Sequence, residues 1–149
     1  MYKHILVPTD GTALSLKAAR EAAALASRLK ARVTVVHVIP PYMPPMPSDG
    51  MVAYAEMLSP EAYRKSTEKQ AAAALDKVAK VVAAQKVACD TLFLTHDRAW
   101  QGIIKAAGTK KCDLIVMASH GRSGLAGVLL GSETTKVLTH SKTPVLVCR

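Results

Sequence analysis

Short apolar runs alternate with longer stretches of helical period along the whole chain. Ile5 to Val7 is the first apolar run, and Pro8 and the Asp10-Gly11 turn close it. Thr12 then stands where a helix N-cap is expected, before Leu14, Ala18, Ala22, Leu25 and Leu29 at helical spacing. Lys17, Arg20, Glu21 and Arg28 fall off that face. Valine-rich Arg32 to Ile39 predicts a second strand, ended by Pro40. Ser59-Pro60-Glu61 opens a helix with a cap, a first-turn proline and an acid near the positive end, and its buried stripe is Ala71, Leu75, Val78 and Val82. Val87 to Leu94 predicts the third strand. Asp97 is the expected cap of the next helix, whose apolar face is Trp100, Ile103, Ile104 and Ala107 and whose end is Gly108. Leu114 to Ala118 is a run short enough for a buried strand, Glu133 to His140 a last helix, and Thr143 to Cys148 a last strand. Strand and helix in turn, with no linker and no repeat, predict one α/β domain over residues 1–149. Its sheet would be parallel and doubly wound, with helices on both faces.

Two segments break the pattern. Residues 40–58 hold Pro40, Pro41, Pro44, Pro45 and Pro47 among methionines and tyrosines, which favours extended backbone. A flap over a ligand, a contact surface and a plain surface insertion all fit them. The other segment follows Ala118, where Gly121, Gly124, Gly127 and Gly131 precede a helix start at Ser132. Glycines let backbone N–H groups approach a phosphate, and a helix N-terminus adds free donors and partial positive charge. Ser132 suits a cap or a phosphate contact. A surface loop without a ligand is the alternative. Neither Gly-x-Gly-x-x-Gly nor Gly-Lys-Ser/Thr occurs, so neither the dinucleotide fingerprint nor a Walker-type loop applies.

The 149 residues carry 20 basic and 11 acidic side chains, a net charge of +9. That balance suits an anionic ligand and would also suit nucleic acid. The basic residues are scattered, and only one Phe and one Trp are available for stacking, so nucleic acid is not expected. No apolar run is long enough to span a membrane and no signal-peptide pattern opens the chain, so membrane association is not expected either. Cys89, Cys112 and Cys148 lie in or beside apolar runs without metal-ligand spacing. Buried, inert thiols, no metal site and a reducing cytoplasm are the expectation. His96 and His120 each follow a strand, and His96-Asp97 looks like a general-base pair. Adjacent residues seldom point together, however, and no Gly-x-Ser-x-Gly elbow surrounds Ser123, so no catalytic residue is assigned. His37 reads as a satisfied core residue.

Ser119-His120-Gly121, nine residues from Arg122 to Leu130, then Gly131-Ser132 resembles the ATP-binding loop of the universal stress protein family, with Ala118 where that pattern has its first glycine. Lys3 to Gly11, His37-Val38-Ile39, Asp113 to Met117 and Thr143 to Val147 extend the resemblance over nearly the whole chain. The resemblance implies a five-stranded sheet of order 3-2-1-4-5, whose order reverses between strands one and four. Pro8, Thr9 and Asp10 would then face the glycine loop. It further implies Asp10 near ribose and adenine, with Thr9 and Val38 as backbone partners of the nucleoside. Met117 and Ala118 would line the adenosine side, Gly121, Gly131, Ser132 and Glu133 would hold phosphates, and His120 and Arg122 of the same loop would belong to the nucleotide site. By its own position Asp10 reads equally as a turn residue capping the first helix. A Glu133 carboxylate would repel phosphate unless it points away or shares a divalent metal such as Mg. The implied function is a regulatory, stress-response module binding ATP or another adenine nucleotide. Hydrolysis would be slow or absent, since no arginine finger or water-activating base is evident. A homodimer through the C-terminal strand is implied as well. A regulatory dimer that binds no nucleotide is the alternative, and an enzyme acting on adenylated substrates is a third reading.

Overall fold

A computed structural model describes residues 1–44, 59–120 and 130–149. Its elements are β1 (His4–Pro8), α1 (Ala13–Leu29), β2 (Arg32–Ile39), α2 (Pro60–Ala84), β3 (Cys89–Thr95), α3 (Ala99–Lys110), β4 (Leu114–Ala118), α4 (Ser132–His140) and β5 (Val145–Cys148). The strands form one sheet in the order β3-β2-β1-β4-β5, and every pairing is parallel. Among the described residues no helix is long and apolar enough to cross a membrane.

Two apolar layers sandwich this sheet. On one face, Ile5, Val7, Val33, Val35 and Val116 meet an alanine seam of α1 (Ala19, Ala22, Ala23, Ala26) and Leu75, Val78 and Val82 of α2. On the other, Leu6, Val36, Ile115 and Met117 meet Ile103, Ala106 and Ala107 of α3 and Val137 of α4. Burial of β1 and β4 on both faces explains their unbroken apolar runs. Leu14, Leu25 and Leu29 flank the α1 seam and are not fully buried; small side chains at the contact let the helix lie close to the sheet.

Several local expectations are corrected. The third strand begins at Cys89, two residues later than its apolar run, after a left-handed Lys86 (φ 56°) and an Ala88 carbonyl that already accepts from the Val33 N–H (2.9 Å). Helix α3 passes Gly108 and ends at Lys110, with Lys111 in the left-handed conformation (φ 55°) that glycine was expected to supply. Gly108 meets no tertiary neighbour, whereas Gly102 does: a Cβ there would lie 2.9 Å from Val38 Cγ1 and 3.0 Å from Leu94 Cδ1. Gly102 thus lets α3 sit directly on the ends of β2 and β3. Of the proline-rich segment, residues 45–58 lie outside the described part. Its beginning is held to α2, where the Tyr63 hydroxyl donates to the Pro40 carbonyl (2.9 Å) and the Tyr42 and Tyr63 rings stand 5.5 Å apart.

Candidate functional site

Sheet order reverses at β1, whose two neighbours are β2 and β4. Crossovers diverge there, and a crevice opens beyond the carboxyl ends of the strands. A cavity of about 550 Å³ fills that crevice. Pro8, Thr9, Asp10, Val38, Met117, Ala118, His120, Gly131, Ser132 and Glu133 all line it, so the fold brings these sequence-derived candidates together. Gly121 and Arg122 lie outside the described residues.

The β1 side is a prepared turn. The Thr9 N–H donates to the Val36 carbonyl (2.9 Å), the last rung between the two strands. His37 Nδ1 donates to the Thr9 carbonyl at 2.8 Å, which makes this buried histidine the satisfied residue its position predicts. Gly11 then takes φ +82°, a conformation costly for any residue with a Cβ. Asp10 Oδ1 accepts from the Thr12 N–H (3.0 Å) and the Thr12 hydroxyl (2.7 Å), while Thr12 caps α1 by accepting from the Ser15 N–H (3.3 Å). Half-burial would raise the Asp10 carboxyl, but bonds from Thr12 and Ser15 outweigh it, and the group stays below the ordinary carboxylate value. Asp10 is therefore both turn residue and ionised cavity wall. Because β1 has ended, the alternation of β2 turns the peptide groups of Val38 toward the crevice.

The β4 side is the start of a helix. Gly131 is the N-cap of α4, in place of the expected Ser132, and offers no side chain to the first turn. Its own N–H donates to the Ser119 carbonyl (2.8 Å), and a Cβ on it would stand 3.2 Å from that oxygen and 3.3 Å from His120 Cα. Gly131 is thus required by close packing on the β4 exit, and its N–H is already used. The donors open to a ligand are those of the first α4 turn after it. His120 Nδ1 pairs with Ser119 Oγ at 3.0 Å, and its buried Nε2 has no partner among the described residues. Ala118 keeps ordinary strand geometry, paired with Cys148, and its carbonyl accepts from the Thr134 hydroxyl (3.0 Å).

The Glu133 carboxylate, although Glu133 lines the cavity, is held by partners of its own. One carboxylate oxygen accepts the backbone N–H of Trp100 (2.9 Å), and the other takes the Lys136 ammonium (3.0 Å). It caps α3, the role that sequence assigned to Asp97. Asp97 instead pairs with His96 Nδ1 at 2.8 Å, so these adjacent side chains do meet. Neither lines the cavity. Of the three thiols expected to be buried, Cys112 is, while Cys89 and Cys148 on the two edge strands are only partly so; burial first, and the Asp113 charge next, push Cys112 up to about 11, and burial raises Cys89 and Cys148. Among the described residues no group of three or more His, Cys, Asp or Glu is placed to hold a metal.

Sequence reasoning missed Thr67 and Gln70 of α2 and Ala99 and Ile103 of α3 as cavity walls. Thr67 lies four residues before Ala71, so it continues the buried α2 stripe with a polar side chain. That change of character was the available signal.

The model of the universal stress protein family matches residues 1–149. The chain belongs to that family. It is 34% identical over 151 residues to universal stress protein MJ0531 of Methanocaldococcus jannaschii, covering 100% of this chain and 83% of that relative. The solved structure of MJ0577 from the same organism superposes with a TM-score of 0.78 at 28% identity, covering 99% of this chain and 95% of that one. A universal stress protein in complex with cAMP superposes with a TM-score of 0.71 at 26% identity, covering 99% and 97%. The family match accords with the parallel 3-2-1-4-5 sheet found here.

Proposed function

We propose that this protein is a regulatory module that binds ATP or another adenine nucleotide in the crevice between β1 and β4, with slow or no hydrolysis. The observation carrying this reading is the polarity of the cavity. An ionised Asp10 stands on one side and the uncapped first turn of α4 on the other. A carboxylate repels phosphate but accepts from sugar hydroxyls. Phosphates therefore belong at α4 and the ribose at Asp10. Val38, Ile39, Ile103 and Met117 offer the base an apolar wall, and the Val38 peptide groups offer it a hydrogen-bonding edge. The orphaned His120 Nε2 would gain a partner from a phosphate oxygen. A volume of about 550 Å³ lies in the range that holds such a ligand. The cAMP-bound relative supports an adenine nucleotide of some kind. Glu133, occupied by Trp100 and Lys136, needs no metal to be reconciled with a nearby phosphate; Mg would travel with the ATP phosphates. The stress-response role and the cytoplasmic setting belong to this same reading.

Extraction of the purified protein, chromatography for retained nucleotide, and calorimetric titration with ATP, AMP and cAMP test it. Asp10→Asn keeps the acceptor that holds Thr12 and removes the charge. It should weaken binding by about tenfold, as for loss of a hydrogen bond to a charged group. Absence of retained nucleotide together with no heat at millimolar ligand overturns the reading. A regulatory dimer without nucleotide would then stand, favoured by the open, apolar edge of β5.

A further inference from the structure

The end of the sheet opposite the cavity gathers positive charge that the linear sequence scatters. Strand entries are aligned there: His4 is level with Arg32, Val33 with Cys89, Ile5 with Leu114 and Ile115 with Val145. Each strand brings an exposed cation to its entry: Lys86 before β3, Arg32 on β2, Lys3 before β1, Lys111 before β4 and Lys142 before β5. With neighbouring strands about 4.8 Å apart, these entries form a row roughly 20 Å long. Lys30 and Lys110 widen the row on its two flanks, at the ends of α1 and α3.

Three of these lysines occupy costly backbone. Lys30, Lys86 and Lys111 have φ of 53°, 56° and 55°, and they are the non-glycine residues with positive φ among those described. Glycine is the usual residue at such helix ends. The helix dipole does not demand them at α1 and α3, since Arg28 and Lys110 already sit in those last turns. Nor do acids neutralise them. The ion pairs among the described residues are Lys80–Asp76, His96–Asp97 and Lys136–Glu133, none of them here. Asp113 in the middle of the row accepts from the backbone N–H groups of Lys3 (2.8 Å) and His4 (3.0 Å) and keeps its charge, so with Asp90 of β3 it lowers the net charge of this end without forming an ion pair with any of the cations.

We propose that this face binds the phosphate backbone of double-stranded nucleic acid without reading its sequence. Lysines on short turns act as point charges on phosphates, and no helix or strand among the described residues projects from this face to enter a groove. Phe93 in the middle of β3 and Trp100 in the first turn of α3 lie away from the strand entries, which leaves Tyr2 as the exposed aromatic ring at the row, too few for a stacking platform that tracks unpaired bases. An anionic bilayer is the less suitable partner, because beyond Met1 and Tyr2 the row exposes no large apolar side chain for insertion.

The test is fluorescence anisotropy of a labelled duplex of arbitrary sequence, titrated with the whole protein at several salt concentrations. Two variants remove equal charge. Lys30→Gly, Lys86→Gly, Lys111→Gly discharges the row at positions where glycine suits the backbone, so the fold is kept. Lys17→Gln, Lys65→Gln, Lys69→Gln discharges the outer surfaces of α1 and α2 instead. The row variant should weaken binding by about tenfold or more and make the log–log salt slope shallower by roughly 3, one for each phosphate that is no longer neutralised. The control variant should change the slope by less than about 1. Equal losses in both variants, no duplex binding at about 50 mM salt, or tighter binding to phosphatidylserine vesicles than to duplex would each overturn the proposal.

Discussion

Ala118 stands where the family's loop pattern has glycine, and two physical consequences were open. A positive φ would make its methyl group a strain; ordinary strand geometry would make it a wall. The structure holds the second case, with Ala118 paired to Cys148 and outside the set of positive-φ residues. Ala118→Gly should therefore change ATP affinity by less than about threefold. It should cost about 0.5–1 kcal/mol of stability, since glycine in a strand loses more freedom on folding. Calorimetric titration and a denaturant melt check both parts. A tenfold gain in affinity would mean that the methyl obstructs the nucleotide. His4 is the other residue whose surroundings make a measurable claim. It is buried, pairs with Thr34 through Nε2, and leaves Nδ1 without a partner among the described residues. Burial first, then the Arg32 charge, hold its pKa below the ordinary 6.5, against the opposing pull of Asp113, the nearby Lys110 backbone and Asp90. The unfolded chain thus takes up a proton before the folded one does. The His4 contribution to stability is full above about pH 6.5 and falls as the pH drops through the lowered value. His4→Asn should flatten that acid limb below about pH 6.5. Melting temperature against pH for both proteins decides it, and parallel curves would place the acid limb elsewhere.

At the scale of elements, helix and strand identity was legible because burial on one stripe or two faces imposes its period on the chain. Thr12 and Ser59 were legible as caps because a cap bonds within three residues of itself. Helix α3 shows where such reading stops. Its first turn is capped by Glu133, 33 residues further along the chain, and no local rule reaches that far. Asp97 looked right for the task, yet its side chain turned to His96. The proposed site residues were readable for a mixed reason: the turn at Asp10 and the glycines before Ser132 are local signals, but their meeting depends on strand order. That order came from resemblance, since periodicity carries no information on which strands are neighbours. The cap assignment can be tested directly. Glu133→Ala should destabilise by about 1 kcal/mol, the usual cost of losing a cap. Asp97→Ala should change stability by less than about 0.5 kcal/mol, as an exposed pair does. Urea melts of the two variants distinguish the roles, and the reverse ranking would return the cap to Asp97.

For the whole molecule, the sheet leaves two edges, β3 and β5, and they are differently protected. Each exposes one large apolar side chain to a similar degree, Phe93 at 45% and Leu146 at 44%, so exposure does not choose between them. Composition does. Strand β3 sets Asp90, Thr91 and Thr95 outward around Phe93, and a charge on an edge discourages pairing with another chain. Strand β5 is Val-Leu-Val-Cys with no charge within it. An open apolar edge of that kind pairs readily with its own copy about a two-fold axis, which buries both edges in one closed interface. We therefore expect a homodimer through β5, with the proposed nucleotide crevice and the basic strand entries left at the two ends of each sheet. Multi-angle light scattering at micromolar protein should give twice the chain mass. Leu146→Lys should shift the protein to monomer, and Phe93→Lys should leave the dimer intact. A monomeric parent, or dissociation by the Phe93 substitution alone, would move the interface away from β5.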